Sequence, residues 1–221
     1  DRLQNIFKEK YEKIFAVELG LSSDTFLADE ISELENKIFV TNSDAHSLPK
    51  IAREYNKMQV EDISFKEVVK ALKNEDGRKI LGNYGLDPKL GKYHRTYCDN
   101  CNQTIETKEP VEKCPYCESD KVTFGVFDRI ELIKDKEETK SPISRPPYIY
   151  QVPLGFIPGV GGKTIEKLLD SFETEMNILH RLSKDDIEAV VGEKVANSIE
   201  KARTGNAKVQ SGGGGNYGKI I

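Results

Sequence analysis

Apolar residues in this chain come in short runs and stripes, never in long blocks. Residues 13–19 (KIFAVEL) and 37–41 (KIFVT) are compact apolar runs of strand type, each closed by polar turn residues. Between them, residues 24–35 carry a helix, with Asp24 placed as its N-cap. Helical spacing returns over residues 51–58. It returns again at Phe65, Val68, Val69 and Leu72, where Ser64 caps the start and Gly77 marks the stop. Residues 82–92 read as loop. Residues 134–147 are charged, then punctuated by proline, and read as a linker. From residue 153 to 203 the stripe is helical. Gly212, Gly213, Gly214 and Gly215 close the chain as a flexible tail. The expected class is α/β followed by α, in several small pieces.

At 221 residues the chain has room for one large domain or two to three small ones. Its net charge of -4 excludes a uniformly basic, nucleic-acid-clamping face, so any such contact must come from local geometry. No apolar run approaches the ~20 residues needed to span a bilayer. No signal segment opens the chain, and a cytoplasmic setting is expected. The sequence begins at Asp1 without Met, which suggests a piece of a longer protein.

The four cysteines carry the sharpest signal. Cys98, Cys101, Cys114 and Cys117 follow C-x2-C-x12-C-x2-C. A two-residue spacer lets a tight turn aim both thiolates at one point, and two such turns close a tetrahedral shell around Zn²⁺. With four sulfurs the shell is full, so the metal would be structural and its binding largely folding energy. Two disulfides, or unrelated buried thiols, are the other readings. His94, nearby, is not needed as a ligand and reads as a surface residue.

Gly159, Val160, Gly161, Gly162 and Lys163 precede a helical run. This P-G-x-G turn resembles the core of a helix-hairpin-helix motif. Glycine permits positive φ and close backbone approach. Amides at the start of the following helix would face a phosphate oxygen, with Lys163 adding charge. Residues 187–199, with the turn Val191, Gly192, Glu193 and Lys194, fit a degenerate second copy with weaker DNA contact. Leu168, Leu169, Phe172, Ile178 and Leu179 read as core. An ordinary glycine-rich turn between helices is the alternative.

Asp44 and His46 follow directly on the second strand. A carboxylate and an imidazole at a strand end suit a divalent ion, and barrel enzymes place their chemistry there. Alone, the pair also fits a polar loop with one solvated histidine.

Wider stretches carry more. Residues 17–24 (VELGLSSD), 41–47 (TNSDAHS), Arg53 and Glu54, 86–94 (LDPKLGKYH), the cysteine module, 145–148 (RPPY) and 217–220 (YGKI) resemble, in order, the endonuclease Q family. The resemblance implies five pieces. Residues 1–90 would be the C-terminal part of a PHP-type phosphoesterase barrel, 91–133 a zinc ribbon and 134–150 a linker. Residues 151–205 would be an all-helical helix-hairpin-helix domain, and 206–221 a glycine-rich tail. It implies cleavage of DNA 5′ to deaminated bases such as uracil and hypoxanthine, or to abasic sites. Divalent ions (Zn²⁺, Mg²⁺ or Mn²⁺) would sit at the PHP site with Asp44 and His46 among their ligands and Glu18 close by. Lys50 and Arg53 would either reach a phosphate or form a solvated face. The family's N-terminal His-x-His ligand pair has no counterpart, since His46 is the first histidine. Such a chain would bind DNA, mainly through the backbone, and need a missing N-terminal PHP segment to cut it. A non-enzymatic DNA-binding adaptor, and a remnant of a phosphatase for small phosphoesters, are the competing readings.

Overall fold

A computed structural model describes residues 2–136 and 145–221. Residues 137–144, the middle of the expected linker, lie outside the described residues.

Leu3–Phe7 (α1) leads through a 3-10 turn into Ala16–Glu18 (β1). Thr25–Asp29 (α2) follows, shorter than its pattern foretold, with the Asp24 side chain accepting from the Leu27 N–H at 2.9 Å. Ile38–Val40 (β2) then pairs parallel with β1, Val17 opposite Phe39. The pair is only partly covered: Glu18 is exposed and Phe39 is the one buried residue of its two strands. Phe39 is wholly buried, and the Arg145 guanidinium lies 3.7 Å from its ring centroid. Arg145 also meets the Asp29 carboxylate at 2.7 Å and donates to the carbonyls of Leu34, Glu35 and Lys37. One arginine thus ties the β1–β2 crossover to the segment that enters the third sheet strand below.

Two sequence expectations fail in the next stretch. Residues 51–58 are not helical; Tyr55–Gln59 form a strand (β3). After Phe65–Lys73 (α3), residues 82–86 are not loop but belong to an eight-residue strand, Lys79–Leu86 (β4). Cross-strand partners override the local spacing: Tyr55 stacks on Tyr84 with centroids 4.4 Å apart. The Gly85 that suggested a loop lies under Tyr148, whose hydroxyl a Cβ would overlap. Ser64 caps α3 as expected, but the helix ends at Asn74 in the left-handed region, before Gly77.

Tyr97–Cys98 (β5), Gln103–Thr104 (β6) and Val122–Thr123 (β7) form a small sheet ordered β6-β5-β7, followed by Val126–Ile133 (α4). The expected linker then ends in a strand, Tyr148–Gln151 (β8), which joins β4 in parallel to complete β3-β4-β8. Four helices follow: Gly162–Phe172 (α5), Glu175–His180 (α6), Lys184–Val191 (α7) and Glu193–Arg203 (α8). Their core contains Leu168, Ile178, Leu179, Ile187 and Ile199, as the stripe foretold, with Leu169 and Phe172 against it. Leu86 and Leu90 belong to the same cluster, so the end of β4 is buried among the helices.

The glycine tail is ordered, which corrects the expectation of flexibility. Val209–Gln210 (β9) pairs antiparallel with Lys219–Ile220 (β10). Between them, Gly212 donates to the Lys89 carbonyl at 2.8 Å and accepts from Arg95 N–H at 3.0 Å. Among the described residues there is no closed barrel; the β1–β2 sheet has two strands.

Removing one member of a buried ion pair costs about 3–5 kcal/mol. Arg145→Ala is therefore expected to lower unfolding free energy by that order, read from urea melts monitored by circular dichroism, with the β1–β2 crossover losing amide protection first.

Candidate functional site

The four cysteine sulfurs converge. Cys98 Sγ lies 3.6 Å from Cys117 Sγ and Cys101 Sγ 3.6 Å from Cys114 Sγ. All four lie within 4.8 Å of one another. A Zn–S bond of about 2.3 Å puts tetrahedral sulfurs roughly 3.8 Å apart, so the cluster fits that ion without rearrangement. None of the four forms a disulfide. The two knuckles share a device: the residue after each second cysteine, Asn102 (φ 56) and Glu118 (φ 58), is left-handed and turns the chain back. Cys101 N–H points at Cys98 Sγ, 3.5 Å away. The Asn100 amide and the Ser119 backbone hold the Cys117 thiol down at about 6, while burial and neighbouring sulfurs push Cys101 up to about 12. Under the metal site Ile105 is wholly buried, with Val111 and Val122 against it. That core is small, so an ion held by the four sulfurs would be its main cross-link.

His94 is not a surface residue. It is 5% exposed, its Nδ1 is 3.3 Å from the Ser22 carbonyl, and its ring leans on Phe127. A carbonyl only accepts, so Nδ1 carries the proton. Burial pushes its pKa below the ordinary value.

The glycine turn is presented to solvent. Ile157 and Val160 are buried and anchor it, whereas Gly159, Gly161, Gly162 and Lys163 are exposed. Only Gly159 needs glycine conformationally, at φ +86; Gly161, the α5 N-cap, has φ -90. The element before the turn is a single 3-10 turn, Leu154–Phe156, rather than an α-helix. A Cβ on Gly161 or Gly162 would meet nothing within 4 Å. The N–H groups of Gly161, Gly162 and Lys163 have no acceptor among the described residues, and no side chain caps the helix. Glycine at 161 and 162 is thus not required by the chain's own packing. The second turn differs: Gly192 (φ 81) opens α8 with Glu193 in its first turn, an acidic group where an anion would sit.

Asp44 and His46 lie on an exposed loop beyond the carboxyl end of β2. Asp44 is left-handed (φ 44), and its carbonyl lies 2.8 Å from His46 Nδ1. The structure does not bring these two side chains into a cluster of three or more metal ligands; among the described residues only the cysteines form one. Arg53, read as a phosphate contact or a solvated side chain, is instead 8% exposed and pairs with the buried Glu54. It also donates to the Ser43 carbonyl at 3.0 Å and to the Tyr217 hydroxyl at 2.8 Å. That strut from the Asp44 loop to the C-terminal segment was invisible in the sequence, because Arg53 and Tyr217 are 164 positions apart.

These elements define a mixed α/β chain organised by a four-thiol metal-binding knuckle, with an uncapped glycine turn at the start of its helical part. The chain resembles the endonuclease Q family along its full length. It superposes on the lesion-specific endonuclease PfuEndoQ of Pyrococcus furiosus with a TM-score of 0.83 and 36% identity, covering 99% of this chain and 57% of that one. With endonuclease Q in complex with a 27-mer duplex bearing an abasic lesion, the TM-score is 0.87 and identity 35%, covering 100% and 58%. It is 49% identical to the uncharacterized protein YqxK of Bacillus subtilis, over 94% of this chain and 52% of that protein. It is 37% identical to the uncharacterized protein MJ0043 of Methanocaldococcus jannaschii, over 92% and 28%. No protein-family model matches. The chain therefore spans about half of YqxK and of the two solved structures, and a smaller part of MJ0043.

Two outcomes follow. Chelation should unfold residues 97–123 while leaving α5–α8 protected, which hydrogen exchange with and without EDTA reads directly. Stability should also fall as pH drops below about 6.5, because the unfolded chain then takes protons that buried His94 and half-buried His180 refuse. His94→Gln should flatten that slope in urea melts across pH 5–7.5; an unchanged slope would remove His94 from the account.

Proposed function

We propose that this chain is the C-terminal, DNA-holding part of a metal-dependent repair endonuclease. The complete enzyme would hydrolyse the phosphodiester 5′ to deaminated bases (uracil, hypoxanthine) or abasic sites. The observation that carries the DNA-holding role is the turn at Gly161–Lys163: three adjacent amides without internal acceptors, at an uncapped helix start, beside glycines that the fold itself does not demand. A helix N-terminus attracts phosphate through its unsatisfied N–H groups and its dipole. Absent Cβ atoms at 161 and 162 let the phosphate come close, and Lys163 adds a charge. Such a grip reads backbone, not base, and needs no basic domain. The likeness to an endonuclease solved on a lesion-bearing duplex supports it.

In this reading residues 1–90 are the end of a PHP-type barrel, 91–133 a ribbon with structural zinc, and 151–205 a pair of hairpins of which the second contacts DNA little. Asp44 and His46 would be two ligands of a divalent centre supplying Lewis acidity and an activated water. Two ligands on an open loop do not make that centre, so the remaining groups come from a segment outside this chain. Glu18, at the carboxyl end of the neighbouring β1, would lie near it on this reading.

The test is fluorescence anisotropy with a short duplex. Gly161→Glu should weaken binding at least about tenfold, by placing a carboxylate where the phosphate sits. Gly161→Ala should leave stability within about 0.5 kcal/mol while still reducing affinity, and Lys163→Ala should lower the salt slope by about one. Incubated with Mn²⁺ or Zn²⁺, the chain alone should leave deoxyuridine duplex uncut. Binding indifferent to Gly161→Glu would sink the proposal.

A further inference from the structure

Beside the glycine turn runs an open cleft of about 610 Å³, and the segment expected to be a loose tail forms its second wall. Residues 155–158 line one side and 216–220 the other; no acidic residue is among them. Pro158, which lines the cleft, is three residues along the chain from Gly161, the first of the free amides. Lys219 is exposed on the far wall; Lys92, half-buried and not itself a lining residue, sets its Nζ 4.7 Å from the ring centroid of the wall residue Tyr217. Neither lysine has a carboxylate partner among the described residues, in a chain whose net charge is -4.

The wall is held in place before any ligand arrives. The Tyr217 hydroxyl accepts from Arg53 at 2.8 Å, its ring meets Phe156 edge-on at 5.1 Å, and Gly218 N–H donates to the Leu90 carbonyl at 3.0 Å. Lys92 and Phe156 cover the Tyr217 ring, which removes it as a stacking platform for a base. What remains on offer is positive charge and the Tyr217 N–H, which has no acceptor among the described residues.

We propose that this cleft is a second phosphodiester-binding site, in which Lys92 and Lys219 neutralise phosphates adjoining the one held at the turn. The inference rests on the duplex-binding reading above and extends the grip to the C-terminal segment. Pre-formed walls of this kind lower the ordering cost of binding.

Affinity for a lesion-free fluorescein-labelled duplex, measured across a salt series, tests it. Each neutralised phosphate contributes about 0.9 to the slope of log affinity against log salt. Lys219→Ala should lower the slope by about one, Lys92→Ala likewise, and Lys219→Glu should weaken binding at least about tenfold at low salt. Lys66→Ala, the same charge change on the exposed face of α3, should match the unsubstituted chain. Circular dichroism and zinc content should be unchanged in all four. If Lys163→Ala lowers the slope but the Lys219 and Lys92 variants behave like Lys66→Ala, the cleft proposal is overturned while the turn stands. If the unsubstituted chain does not bind duplex, both fall.

Discussion

The structure depends on a backbone-to-backbone contact that leaves no space for side chains. Residues 212–218 lie directly on residues 89–97. A Cβ on Gly212 would overlap the Gly91 carbonyl, one on Gly214 the Tyr97 ring, and one on Gly218 would crowd the Lys89 carbonyl. With no Cβ at these glycines, the two segments exchange main-chain hydrogen bonds at 2.8–3.1 Å, through Gly212, Gly215, Gly218 and Arg95. Residues 89–97 connect the end of β4 to the first cysteine knuckle, and Leu90 is buried with the helices. The C-terminal segment is therefore a strap over the junction of sheet, ribbon and helical core. Loosening it would free the ribbon from the helices even with every sulfur in place.

The same strap carries structure toward the strand ends. Tyr217 reaches Arg53, and Arg53 reaches the carbonyl just before Asp44. Arg53 and Glu54 are both buried, and burial leads the causes that raise the Glu54 carboxyl, with the neighbouring guanidinium opposing it. Burying such a pair costs desolvation on both sides, so it contributes geometry more than stability. Its geometric effect is to fix the loop beyond β2 relative to the wall beside the glycine turn. Nearby, Asn56 and Asn83 hold Thr41 and the Phe39 carbonyl to the β3–β4 pair. The two sheets are thus joined by amide side chains rather than by a shared ladder.

What could be read in advance follows from how local each device is. Each cysteine knuckle, the caps at Asp24 and Ser64, the two apolar runs that become β1 and β2, and the helical stripe after residue 153 are written in short local patterns, and each appears in the structure. β3 and β4 escaped because their evidence is across the sheet: Tyr55 opposite Tyr84, and glycines at 82 and 85 that sit under Ile149 and Tyr148. In sequence, Gly82 and Gly85 look like loop punctuation; in space they are clearance for a neighbour. The C-terminal glycines were misread for the same reason. His94 reads as solvent-facing in sequence because nothing local announces Ser22 or Phe127. For the candidate DNA site, the turn itself was legible, but not that Gly161 and Gly162 lie free of internal constraint, nor that residues 216–220 form a wall beside it.

Sorting glycines by what excludes their Cβ separates two uses of one residue type. Gly85, Gly125, Gly212, Gly214 and Gly218 are crowded by the protein itself, so folding accounts for them. Gly161 and Gly162 are crowded by nothing and have ordinary φ, so folding does not. A chain of net charge -4 gains little long-range attraction to a polyanion. Its hold on one must come from short-range donors that tolerate close approach, which is what an uncapped helix start without Cβ atoms offers. Such donors see phosphate and not base edges, so, if the proposed reading holds, the choice of lesion would fall to groups near the scissile bond. On the proposed reading, the part described here would supply register and grip, and discrimination would fall to whatever completes the metal centre.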